Sequence, residues 1–224
     1  MYLTERLPRE TGRDYALHTI KENIIRLELA PGSMVSEKEL AAKMNLSRTP
    51  VREALIELSK VKIVEIFPQR GSMISLIDYA LVEEARFIRN VLECAVVELV
   101  CEMADGKDLE MLKEHIKLQE FYMENNYFTS FLPVDNQFHR NLFDIAKKRQ
   151  AYELMNNVSI HFDRVRNMAL TVVADRKIVE DHKAIVDDIG RHDAPMARKH
   201  MEEHLSRYKI DEKAIRKKYP GYFK

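Results

Sequence analysis

The sequence predicts a mainly α protein with one small β-hairpin, divided into an N-terminal unit over 1–76 and an all-α helical bundle over 77–224. Three observations predict it. Apolar residues recur at helical spacing along nearly the whole chain. Chain punctuation is sparse, with 6 Gly and 7 Pro in 224 residues, which favours long helices and few turns. The stretch 62–76 instead alternates toward strand and is broken at Pro68 and Gly71, as a hairpin would be.

The first helix is marked by Leu17, Ile20, Ile24, Ile25 and Leu27, and Pro31 and Gly32 set its limit. Ser36 and Glu39 have capping-box spacing and open a second, short helix with Leu40, Ala41 and Met44 on its apolar side. Ser47 caps a third helix that buries Val51, Ala54, Leu55 and Leu58, and Pro50 is tolerated in its first turn. Two short helices joined by a tight turn and followed by a hairpin make a winged helix-turn-helix. Arg48 and Arg52 share one face at the start of the third helix, where an arginine fork can take guanine O6 and N7 in the major groove. Ser47 and Thr49 offer hydroxyls to phosphates, and Arg70 and Gly71 form the wing tip.

Bulk charge says nothing for or against nucleic acid. The chain is neutral overall, and residues 1–76 carry 12 Lys and Arg against 10 Asp and Glu. The case rests on placement, and here a resemblance adds to it. The stretches LAPGS at 29–33, SEKELA at 36–41, SRTPVREAL at 47–55 and PQRG at 68–71 closely resemble the winged helix of the GntR family of bacterial regulators. That resemblance implies operator DNA as partner, with Lys38, Arg48, Arg52 and Gly71 against it.

Beyond Asp78 the periodicity predicts six helices, at about 78–103, 107–125, 128–146, 150–171, 175–190 and 193–216. Polar residues interrupt their apolar stripes. Asp135 and His139 fall among Phe131, Phe138 and Leu142; His182 falls among Ile178, Ile185 and Ile189; His204 falls among Ala197, Met201, Leu205 and Tyr208. Each histidine alone reads as a hydrogen-bonded core residue. The four together equally suit a divalent transition metal such as Zn or Ni, since buried carboxylates and imidazoles need partners. Arg89 lies inward on the first bundle helix, either as the anchor of a ligand carboxylate or as the ion-pair partner of Glu93. His161 falls in the stripe of its own helix, so it turns inward like Arg89 and is a second candidate for ligand contact. His200 sits at a stripe edge, and His18, His115 and His192 read as exposed.

The segments Asp135 to His139, Asp181 to Ile185 and Ala197 to Leu205 resemble the FCD effector domain of the FadR subfamily. That resemblance implies a metal held by one Asp and three His beside a small-molecule pocket. The expectation is a homodimeric, ligand-responsive regulator, most simply a repressor, whose effector is a small organic acid. A metal sensor, a metal-dependent enzyme and an architectural DNA-binding protein are the competing readings. No apolar run reaches the roughly 20 residues that cross a bilayer, the N-terminus lacks a signal-peptide core, and Cys94 and Cys101 read as buried thiols, so a cytoplasmic site is expected. The aromatic residues Tyr219, Tyr222 and Phe223 have the composition of a docking segment with no partner indicated.

Overall fold

The computed structural model describes all residues except 173–175 and 208–211, and omits the side chains of Thr171 and Arg207. The predicted helix break at Asp175 and the stripe residue Tyr208 therefore lie outside the described residues. The chain divides into two compact units, Met1–Val82 together with Glu212–Lys224, and Glu83–Asp211.

In the first unit, α1 (Gly12–Ile25), α2 (Glu37–Lys43) and α3 (Arg48–Lys60) precede a three-stranded sheet of β1 (Met34–Val35), β2 (Val64–Phe67) and β3 (Gly71–Ile74). The sheet order is β1-β3-β2 and both pairings are antiparallel. Its core is Ile20 and Ile24 from α1, Leu40 from α2, Val51, Ala54, Leu55 and Leu58 from α3, and Ile63 and Ile74 from the hairpin. These are largely the positions that the 3.6-residue period selects.

Three local features differ from expectation. The first helix stops at Ile25 because Leu27 adopts a left-handed conformation, φ 63°, before the proline is reached. Ser36 and Ser47 occupy N-cap positions, yet neither side chain makes a capping hydrogen bond. β1 is too short for an alternation signal, and it forms because β3 offers it a free edge.

The second unit contains most of α4 (Tyr79–Met103), then α5 (Gly106–Glu124), α6 (Phe128–Ile145), α7 (Arg149–Val172), α8 (Lys177–Gly190) and α9 (Ala194–Arg207). α5 packs on α6 and α8, α6 on α7, and α8 on α9. Asp105 opens α5 with a complete capping box to Asp108. Phe131, Phe138, Leu142, Ile185, Ile189 and Met201 are buried as the stripes require.

The reading of 77–224 as one bundle needs correcting at its end, and residues 208–211 of the predicted helix 193–216 lie outside the described residues. A separate helix, α10 (Glu212–Lys218), and the tail after it belong to the first unit. The aromatic tail docks on the linker that leaves the wing. Phe223 stacks on Tyr79 at 5.5 Å, and the Arg216 guanidinium lies over both rings. Ile77 N–H donates to the Tyr222 carbonyl at 2.8 Å, and Lys224 N–H donates to the Ile77 carbonyl at 3.0 Å.

Candidate nucleic-acid interface and metal centre

The start of α3 presents Arg48 and Arg52 outward, with side chains 62% and 57% exposed. Four residues apart on a helix, they project from one face, and the buried stripe opposite fixes which face that is. Neither hangs free. Glu37, the first residue of α2, accepts from Arg52 Nε and Nη2 at 2.9 Å each and from Arg48 Nη2 at 3.3 Å. The hydrogen bond from Arg52 is the main reason that the Glu37 carboxyl titrates below its ordinary range. Lys38, Ser47 and Thr49 are exposed beside them.

Across a cleft stands the wing, with Arg70 exposed and Gly71 at the head of β3. Gly71 has φ 103°, and a Cβ there would sit 3.2 Å from the Val35 carbonyl oxygen. Glycine is therefore required by both backbone conformation and space. The sequence named Lys38, Ser47, Arg48, Thr49, Arg52, Arg70 and Gly71 as candidate DNA contacts but not Glu37, because an acid on a helix start is ordinarily just a favourable dipole partner.

In the second unit α6, α8 and α9 bring His139, His182 and His204 together, with one donor atom of each within 4.8 Å of the others. His182 Nε2 is 3.2 Å from His204 Nε2. Asp135, one turn before His139, places Oδ1 3.7 Å from His182 Nε2 and Oδ2 3.8 Å from His139 Nε2. All four side chains are essentially buried.

The outer nitrogens face partners on other helices. His182 Nδ1 is 2.7 Å from Gln119 Oε1, so Nδ1 carries the proton and the Nε2 lone pair points inward. Glu93 Oε2 lies 2.5 Å from His139 Nδ1, and Asp181 Oδ2 lies 3.7 Å from His204 Nδ1. The His182–Gln119 contact is a hydrogen bond of the kind that orients an imidazole ligand toward a metal, whereas the other two are charge proximities without hydrogen-bond geometry. His139 Nε2 and Asp135 Oδ1 are buried without a hydrogen-bond partner. A divalent cation fits the set, because it would satisfy both orphaned atoms and take three neutral imidazoles and one carboxylate.

Burial, reinforced for His139 by the nearby Arg89 cation and for His182 by His204, holds both imidazoles well below the ordinary histidine range. Burial pushes the Asp135 carboxyl up, but Arg166 and the surrounding cationic groups outweigh it and leave it low. For the metal-free protein this has a consequence in acid. The unfolded chain takes protons on these two histidines below about pH 6.5 while the native one does not, so acidification favours unfolding. Stability is therefore expected to fall as the pH is lowered from 7 to 5, because the unfolded chain binds protons that the native one does not. Denaturant melts across that window check it.

The predicted acid anchor is not an open cation. Arg89 Nε donates to Glu93 Oε1 at 2.6 Å, so the ion-pair alternative is the one this structure contains. Arg89 still lines a small cavity with Glu93, Asn136, Tyr152, Asn156 and Arg166. Arg166 bridges Asp135, Asp163 and Asn136 there. It was missed because a second arginine two residues after Arg164 reads as surface, whereas both are buried. His161 is buried against Arg164 and is not among the residues lining that cavity. His200 pairs with the buried Asp188, and His192 with the Cys101 carbonyl, so both are structural.

Comparison with known proteins agrees with these two units. Residues 14–74 match the family model described as bacterial regulatory proteins, gntR family, and residues 84–207 match the FCD domain. The chain is 29% identical over 221 residues to the HTH-type transcriptional repressor RspR of Escherichia coli (strain K12), covering 98% of this chain and 97% of that protein. It is 32% identical over 216 residues to an uncharacterized HTH-type transcriptional regulator from an unstable DNA locus of Streptomyces ambofaciens, covering 96% and 90%. Among solved structures, E. coli McbR/YncC superposes with a TM-score of 0.82 at 19% identity, covering 94% of this chain and 99% of that one. The relatives are transcription regulators, not enzymes. The chain belongs to the gntR family of bacterial transcription regulators, with an FCD domain behind its winged helix-turn-helix.

Proposed function

We propose that the protein is a ligand-responsive repressor that acts in the cytoplasm, binds a palindromic operator as a homodimer and changes its DNA affinity when a small organic acid enters the FCD domain. The single observation that carries this is the coexistence, in one chain, of outward Arg48 and Arg52 with a buried Asp135, His139, His182 and His204 set beside a cavity. The relative named as a repressor supports the sign of regulation. On α4 and α7, Phe87, Val91 and Leu154 are exposed apolar side chains that a second copy would cover, and two-fold symmetry suits a palindrome.

In the DNA-bound subunit, Arg48 and Arg52 would face base edges, while Lys38, Ser47, Thr49, Arg70 and Gly71 would meet the backbone. In the FCD domain the three imidazoles and Asp135 would hold a divalent transition metal, Zn or Ni by donor type. The bound ion would supply positive charge and open coordination positions to an acid. Arg89 and Arg166 would then orient the carboxylate, and Glu93 would have to release Arg89 to let it in. His161, which contacts Arg164 and does not line the cavity, would not touch the acid.

A second reading, a metal-ion sensor, is favoured by the size of the cavity, which has room for roughly one water molecule. Gel shifts with metal-free and Zn-loaded protein, with and without a panel of small carboxylates, separate the two. A carboxylate that shifts DNA affinity at constant metal supports the first. A response to micromolar metal alone supports the second, and no response to either defeats both.

A further inference from the structure

We propose that Glu37 is a positioning residue for DNA recognition, holding the forks of Arg48 and Arg52 toward base edges and away from the phosphates. The inference rests on the DNA-binding reading and deepens it. An acid in a DNA interface is unexpected on charge alone, since every phosphate repels it. Its geometry here is specific. One carboxylate reaches two arginines that sit a full helical turn apart, and it comes from a different helix, so α2 must be docked on α3 for the contact to exist.

Which edge of Arg52 is used matters. Glu37 takes the side of the guanidinium formed by Nε and Nη2. The end of the fork formed by Nη1 and the outer proton of Nη2 stays open, and that end matches guanine O6 and N7. Arg48 is tethered through Nη2 alone, which leaves its Nε and Nη1 unbound by Glu37. An untethered exposed arginine has many rotamers, and most of those that meet DNA reach the backbone, where contacts carry no sequence information. Glu37 restricts both side chains before DNA arrives, and its own charge disfavours their collapse onto phosphate. The expected signature is therefore a trade: the carboxylate weakens binding to DNA in general and strengthens binding to the right sequence.

The test uses the full-length protein, a pool of randomised duplexes to select its preferred site, and a scrambled duplex as non-specific probe. Glu37→Gln keeps size but loses the charge that bridges two guanidiniums. It is expected to lower affinity for the selected site about 10-fold, raise affinity for the scrambled duplex, and steepen the salt dependence of the latter by about one counterion. In an Arg52→Ala background the same change is expected to cost much less at the selected site, which a general folding defect would not do. Unchanged melting temperature confirms that α2 and α3 remain docked. Equal shifts on both duplexes, or none, overturn the proposal. A wild-type protein that enriches no sequence from the pool overturns the DNA-binding reading and this inference with it.

Discussion

Replacing Arg48 and Arg52 together by alanine is expected to lower affinity for the preferred site at least about 100-fold, since each bidentate arginine–base pair is worth a factor of roughly 10 or more. Both side chains are more than half exposed and, among the described residues, pair only with the surface carboxylate of Glu37, so the melting temperature should stay within a few degrees of wild type. Binding to scrambled DNA should fall much less, because Lys38, Arg70 and the start of α3 remain. Equilibrium titrations of the two duplexes at matched salt make the comparison. Specific binding that survives the double change would remove α3 from the major groove. Lys38→Ala, which touches the DNA backbone in this scheme, should instead weaken both duplexes alike.

The second large effect concerns the buried histidines. His182→Ala is expected to abolish stoichiometric metal, measured by elemental analysis after dialysis, because the residue sits between His139, His204 and Asp135. It is also expected to destabilise the FCD domain by about 2–4 kcal/mol even without metal. The imidazole is fully buried, packs against the Phe138 ring at 4.3 Å in a tilted arrangement and hydrogen-bonds the Gln119 carbonyl oxygen Oε1. Those two effects are separable. Chelation of the wild type removes only the metal, and relative to a free metal concentration of 100 Kd it should lower stability by about 2.7 kcal/mol. A wild type whose melting temperature ignores both chelator and added Zn would argue for a purely hydrogen-bonded core.

Much of this was legible in the chain. Residues such as Val51, Leu55 and Leu58 announce which side of α3 is buried, and so which side Arg48 and Arg52 present. The same periodicity turned Asp135, His139, His182 and His204 inward, and the fold brings the three imidazoles into one cluster. What periodicity cannot supply is the partner across a packing contact. Glu93 and Gln119 sit on α4 and α5, and only the bundle geometry aims them at His139 and His182. Glu37 and Arg166 escaped for the same reason, each being an ordinary charged residue until a second element arrives opposite it. The tail was readable as a docking segment, but no local signal names Tyr79, 144 positions before Phe223, as its stacking partner.

That tail makes the DNA-binding unit discontinuous along the chain, with the whole of 83–211 intervening between its two pieces. During synthesis the helices of the winged unit leave the ribosome first, but the grip of Tyr222, Phe223 and Lys224 on Ile77 and Tyr79 can form only after the entire FCD domain has been made. The FCD domain is thus an insertion with two junctions, not an appendage with one. Exchange of FCD domains between regulators of this architecture must preserve both seams, or the Ile77 N–H and carbonyl lose their partners at the point where the wing ends.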